Sequence, residues 1–126
     1  MKILAVSDVE NALLYSPMIM DRFQDVDLIL SCGDLPYYYI EYMVSMLNVP
    51  CYFVRGNHAN AREYGVAGTR KYPWGAVDVH HRCVEDDTGL LLAGLRVFKI
   101  QPGSIPVYPG AVLADGAEFG AKVLLE

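Results

Sequence analysis

The chain has 126 residues, 53% hydrophobic and 20% charged, with a formal net charge of −5. That length suits one domain with a real core and is too short for two ordinary ones, and the composition excludes an intrinsically disordered chain. No apolar run reaches the ~20 residues of a membrane span, and the acidic balance argues against bulk electrostatic binding of nucleic acid.

Lys2 runs straight into Ile3, Leu4, Ala5 and Val6, which reads as a buried parallel strand rather than a signal peptide. Ser16-Pro17 then predicts a helix N-cap followed by proline at the first helical position. Ile19, Met20 and Phe23 recur behind it at helical spacing. Asp27 to Cys32 is a second apolar run centred on Leu28, Ile29 and Leu30. Pro36 opens a second helix that carries Tyr37, Tyr38, Tyr39, Ile40, Tyr42, Met43, Met46 and Leu47 and ends near Asn48. Pro50 to Arg55 is a third strand. This β-α-β-α-β alternation predicts an α/β fold with a parallel-sheet core.

From Gly56 to Gly75 no period is sustained, as in a functional or mobile loop. Ala76 to Val84 reads as a further strand, Glu85 to Gly89 as a turn, and Leu90 to Ala93 as the returning arm of a β-hairpin. Beyond Leu95, Pro102, Gly103, Pro106, Pro109, Gly110, Gly116 and Gly120 interrupt every pattern. The expected organisation is a domain over residues 1–95 and an atypical Gly/Pro-rich segment over 96–126. Cys32, Cys51 and Cys83 form no CxxC pair and lie in or beside apolar runs. They are expected to behave as small buried hydrophobes in a reducing cytoplasm.

The chemistry gathers where the strands end. The first strand runs into Ser7-Asp8-Val9-Glu10, the second into Gly33-Asp34, the third into Gly56-Asn57-His58. In an open parallel sheet, ligands bind outside the carboxyl ends of the strands. Asp8, Glu10, Asp34, Asn57 and His58 are therefore delivered toward one edge. Carboxylates from separate strands can hold one or two divalent ions, and Asp34, on the middle strand, is the natural bridging ligand. A single Asp at a strand end is more often a cap or turn former. Three motifs in succession outweigh that reading.

The constellation resembles the calcineurin-like metallophosphoesterases, whose pattern is D-x-H, G-D and G-N-H, each following a strand. The resemblance covers roughly residues 1–95 and implies a partial metallophosphoesterase-like sandwich. It implies that Asp8 binds a first metal, Asp34 bridges two, and Asn57 binds the second and can touch a substrate phosphate. His58 would protonate the leaving oxygen or stabilise the transition state. The implied reaction is hydrolysis of a phosphomonoester or phosphodiester by a metal-bound hydroxide. Glu10 stands where the family has histidine, a hard oxygen donor that favours Mn²⁺ or Mg²⁺. Nothing after His81 matches the family's later histidines, because the chain has only three, His58, His80 and His81. A catalytically inactive scaffold or interaction module is the alternative that this departure raises. A flavodoxin- or receiver-like domain would leave Gly-Asn-His unexplained.

His80 and His81, adjacent on an expected strand, should point to opposite faces as ordinary strand residues. Arg55, Arg62, Arg70 and Lys71 lie near the third motif and could clamp a phosphate, although a solvated loop accounts for them as well. One of the tyrosines from Tyr37 to Tyr42 could stand at the pocket mouth, and Trp74 could belong to a lid. A half-length domain would leave a sheet edge or face that a homodimer could bury. The remaining expectations are a phosphate-ester partner, no membrane and a cytoplasmic location.

Overall fold

The computed structural model describes residues 1–56, 63–65, 68–95 and 122–125. Its elements are β1 (Ile3–Val6), α1 (Met18–Phe23), β2 (Leu28–Ser31), α2 (Tyr37–Leu47), β3 (Cys51–Phe53), β4 (Glu63–Gly65), β5 (Gly68–Arg70), β6 (Ala76–Asp78), β7 (Arg82–Glu85), β8 (Leu91–Leu95) and β9 (Lys122–Leu125). The expected β-α-β-α-β start is present, and it builds a parallel sheet in the order β1-β2-β3-β6. An antiparallel sheet in the order β7-β8-β9 forms a second layer, with β7 and β8 as the expected hairpin. The short β4-β5 pair stands apart from both.

Alternation along each parallel strand separates two cores. The cross-strand row Leu4, Ile29, Cys51 and Ala76 packs with Ile19 of α1 and Tyr39, Ile40 and Met43 of α2. Leu28, Leu30, Tyr52, Val54 and Val79 face the other way and meet Val84, Leu90 and Leu92 of the hairpin. Sandwiched between helices and hairpin, β2 is buried at every position. Strand β1 is one of the sheet's two outer strands and is only half-buried, with Ala5 exposed, so the expectation of full burial fails there.

Local chemistry departs from expectation at two helix and strand ends. Ser16 does not cap α1 through its side chain; its hydroxyl donates to the Leu13 carbonyl, and its own carbonyl accepts from the Ile19 amide. Asn48 closes α2 as expected, in the left-handed conformation at φ 51, with its amide bonded to the Val44 carbonyl. The strand expected over Ala76 to Val84 is broken. β6 stops at Asp78, and a turn closed by the Arg82 amide on the Val79 carbonyl (3.0 Å) passes the chain to the second sheet. His81 makes that turn at φ 56, so His80 and His81 do not point to opposite faces. Their rings stack, with centroids 4.0 Å apart.

The cysteines divide. Cys51 is buried, and desolvation pushes its thiol up to about 12, as suits an inert core residue. Cys32 is half-buried. Cys83 is exposed on β7 and is not the buried hydrophobe expected.

One buried polar link joins the layers. The Tyr52 hydroxyl donates to Asp86 Oδ1 at 2.6 Å, while the Thr88 hydroxyl and amide donate to Oδ2. The bonds from Tyr52 and Thr88 hold the Asp86 carboxyl below its ordinary 3.8, and burial with this bond raises Tyr52 to about 12. A depressed folded value means that the stabilisation is complete above the unfolded value and lost as pH falls through the lower folded one. Asp86→Ala, which orphans the Tyr52 hydroxyl, is expected to cost about 2–3 kcal/mol near neutral pH. In thermal melts the gap between wild type and variant should narrow when the pH is taken from neutral to well below 3.8. An equal gap at both pH values would contradict this account.

Candidate functional site

Ladder hydrogen bonds carry the first two parallel strands past their ends. The Cys32 amide donates to the Val6 carbonyl (2.8 Å), and the Asp8 amide to the Gly33 carbonyl (3.1 Å). The chain then turns sharply: Asp8 has φ 63, Gly33 φ 109 and Asp34 φ 59. Aspartate is among the few residues that tolerate this region, and only at a cost of roughly 1–3 kcal/mol each that the surroundings must hold. Two aspartates, on neighbouring strand ends, are thus held in the same unusual conformation, with the Asp8 amide bonded to the carbonyl of Gly33, the residue before Asp34.

The third strand end adds a close approach. A β-carbon on Gly56 would lie 2.0 Å from Asp34 Oδ1 and 2.6 Å from the Asp34 amide nitrogen. The Asp34 carboxylate therefore rests in a cradle that only glycine leaves open. The Ser7 hydroxyl donates to Asp8 Oδ2. Asp8 is exposed and Asp34 half-buried.

Glu10 takes a different partner. The Tyr38 hydroxyl donates to its Oε1 at 2.7 Å. Tyr38 is 40% exposed, while Tyr37 and Tyr39 are core. Tyr15, which sequence reasoning passed over, packs edge-on against Tyr38 and also contacts Tyr39 and Tyr42. The Tyr39 hydroxyl receives the Asn11 amide, so the segment carrying Glu10 is tied to α2 at two points. No periodic signal in residues 9–15 could have revealed Tyr15, because its partners lie across the chain.

Among the described residues, no three His, Cys, Asp or Glu side chains come close enough to hold an ion together. Asn57 and His58 lie outside the described residues, as does Arg62. Asp8 and Asp34 are brought together at adjacent strand ends, and Glu10 is engaged with Tyr38. The donor set is still chemically suited to a hard divalent cation: carboxylate oxygens, with the Gly56 cradle keeping one of them in place.

Arg55 turns to structure. One of its terminal nitrogens donates to the Lys71 carbonyl at 2.6 Å, which also accepts from the Tyr37 hydroxyl. Its Nε is buried with no partner among the described residues. Trp74 is exposed, and its amide donates to Glu41 on α2. No helix among the described residues is long and apolar enough to cross a membrane.

A family model described as the calcineurin-like phosphoesterase superfamily domain matches residues 1–82. No curated protein matches the chain, and no solved structure does. The matched span holds the whole parallel sheet, both helices and all three strand-end motifs. With its aspartates on successive parallel strands and Asp34 seated against Gly56, the chain belongs to the calcineurin-like phosphoesterase superfamily.

Proposed function

We propose that this protein is a metal-dependent phosphoesterase acting in the cytoplasm, a compartment that suits cysteines not joined in disulfides. The observation that carries the reading is the pair of left-handed aspartates, Asp8 and Asp34, with the Asp34 carboxylate cradled on Gly56. The superfamily generally uses divalent metals. Asp8, Glu10, Asp34 and Asn57 would hold Mn²⁺ or Mg²⁺, one ion or two. Such a cation supplies Lewis-acid stabilisation of phosphoryl charge and makes water a stronger nucleophile.

The chain's own residues do the rest. Asp34, fixed by a strained backbone and the Gly56 cradle, presents its carboxylate with little freedom to lose. The Ser7 hydroxyl orients Asp8 by donating to one carboxylate oxygen. His58 would hold the proton that the departing oxygen of the ester takes up.

The test is hydrolysis of bis(p-nitrophenyl) phosphate and p-nitrophenyl phosphate with and without Mn²⁺, comparing wild type with Asp34→Asn. Loss of an outer partner of a metal ligand already costs 10–100-fold, so loss of a ligand should lower turnover roughly a hundredfold or more. Circular dichroism should be unchanged. A variant as active as wild type would sink the proposal. A scaffold without catalysis is the second reading, favoured by the engagement of Glu10 with Tyr38. It would show as a folded wild-type protein that hydrolyses neither ester.

A further inference from the structure

We propose that the turn from Val79 to Arg82 is the phosphoryl-recognition element of this protein, with the side chains of His80, His81 and Arg82 donating N–H groups to non-bridging phosphate oxygens. The proposal deepens the phosphoesterase reading and rests on it for the placement of the reacting bond. It also selects a substrate class: a phosphomonoester, whose terminal group offers three non-bridging oxygens, over a diester.

Placement is the first argument. β6 runs parallel to β3, so its carboxyl end, where this turn begins, opens on the same edge as Asp8, Asp34 and Gly56. Strands β2, β3 and β6 are neighbours at about 4.8 Å each, which puts the ends of β2 and β6 roughly 10 Å apart with Gly56 between them. One small ester can span that distance.

Rigidity is the second. The His80 amide donates to Asp78 Oδ1, the His81 amide to the Gly94 carbonyl, and the Gly94 amide to the Val79 carbonyl. Gly94 is itself wedged against Val54 and Val79. The turn is therefore fixed to both sheets before any ligand arrives. His81 sits at φ 56, where glycine would relieve the strain, and it shares this left-handed conformation with Asp8 and Asp34 on the same edge. Strained non-glycine residues cluster where a site over-determines them.

Chemistry is the third. The stacked imidazoles need only one N–H each to donate, whatever their charge. Arg82 shares the inward side of β7 with Val84, yet it is exposed. Arg82 is the one fixed cation of this turn, and its planar fork matches phosphate oxygens.

Inorganic phosphate is the probe, followed by the imidazole C–H resonances of the full chain, together with Mn²⁺ binding by calorimetry. Phosphate should shift the His80 and His81 resonances. His80→Gln and Arg82→Gln should each weaken phosphate binding about tenfold, as for loss of one hydrogen bond to a charged group. They should leave Mn²⁺ affinity within about twofold, since losses at well-separated positions are independent. They should also lower the preference for p-nitrophenyl phosphate over its diester. His81→Gly, which relaxes the turn and should melt higher than wild type, keeps a loss of affinity from being mistaken for unfolding. Resonances that phosphate leaves in place, or variants that bind phosphate like wild type, would overturn the proposal. A wild type that shifts with phosphate but binds no Mn²⁺ and hydrolyses nothing would instead overturn the phosphoesterase reading and leave the anion site standing.

Discussion

At the proposed metal site, Gly56→Ala is expected to weaken Mn²⁺ binding sharply while leaving most of the fold in place. The new methyl would stand 2.0 Å from Asp34 Oδ1 and 2.2 Å from its carboxyl carbon. Rotating the carboxylate relieves those two contacts. It cannot relieve the third, 2.6 Å from the Asp34 amide nitrogen, because that atom belongs to the backbone of a turn already held at φ 59. The ends of β2 and β3 must therefore separate. The stability cost should be about 1–3 kcal/mol, the usual range for overpacking. Mn²⁺ affinity should fall roughly a hundredfold, because a displaced ligand is as poor as a missing one. Calorimetry with Mn²⁺ beside a thermal melt separates the two effects. In the double variant Gly56→Ala with Asp34→Gly, part of the stability should return and none of the binding, a coupling that only direct contact produces. Full metal affinity in the single variant would show that the cradle plays no part in the site.

Gly94→Ala should be strongly destabilising. Its β-carbon would meet Val54 Cγ1 and Val79 Cγ2 at 2.6 Å each and the Val79 carbonyl oxygen at 2.8 Å. Val54 and Val79 are both fully enclosed, so neither can step aside into solvent. Gly94 also accepts the His81 amide and donates to Val79, so moving it breaks the junction between the sheets. A cost of about 3 kcal/mol is expected, at the upper end of overpacking, which lowers the melting temperature by roughly 10–20 °C in a domain of this size. Gly89→Ala is the control. Nothing lies within 4 Å of its β-carbon, and only its φ of 84 opposes the change, for about 1 kcal/mol. Equal melting temperatures for the two variants would show that the inter-sheet seam is looser than its distances imply.

The route from sequence to site was direct wherever a signal was local. Apolar runs at Ile3–Val6, Leu28–Ser31 and Cys51–Phe53 became parallel strands, and Pro36 and Asn48 bounded α2. Asp8 and Asp34 were legible because acids following parallel strands must emerge at a sheet's carboxyl edge. The errors came from residues whose state depends on distant partners. The His80-His81 pair read as strand because period-two patterning cannot register one left-handed residue, and His81 supplies it. Cys83 sits on a strand whose outward side has no covering layer among the described residues, so its type mispredicted its exposure.

The sequence by itself determined the α/β class, the order of the first five elements and the identity of the aspartates at the strand ends. Those follow from hydrophobic periodicity and proline or asparagine punctuation, which act over a few residues. Only the tertiary structure decided that the Glu10 carboxylate answers to Tyr38, that Asp34 lies on Gly56, and that β6 adds a fourth strand end carrying His80 to Arg82. Each is a contact between residues more than twenty positions apart, or a strand order that local pattern leaves open. Such contacts form only when two sheets and two helices bury their apolar faces together, and no stretch of the chain encodes them alone.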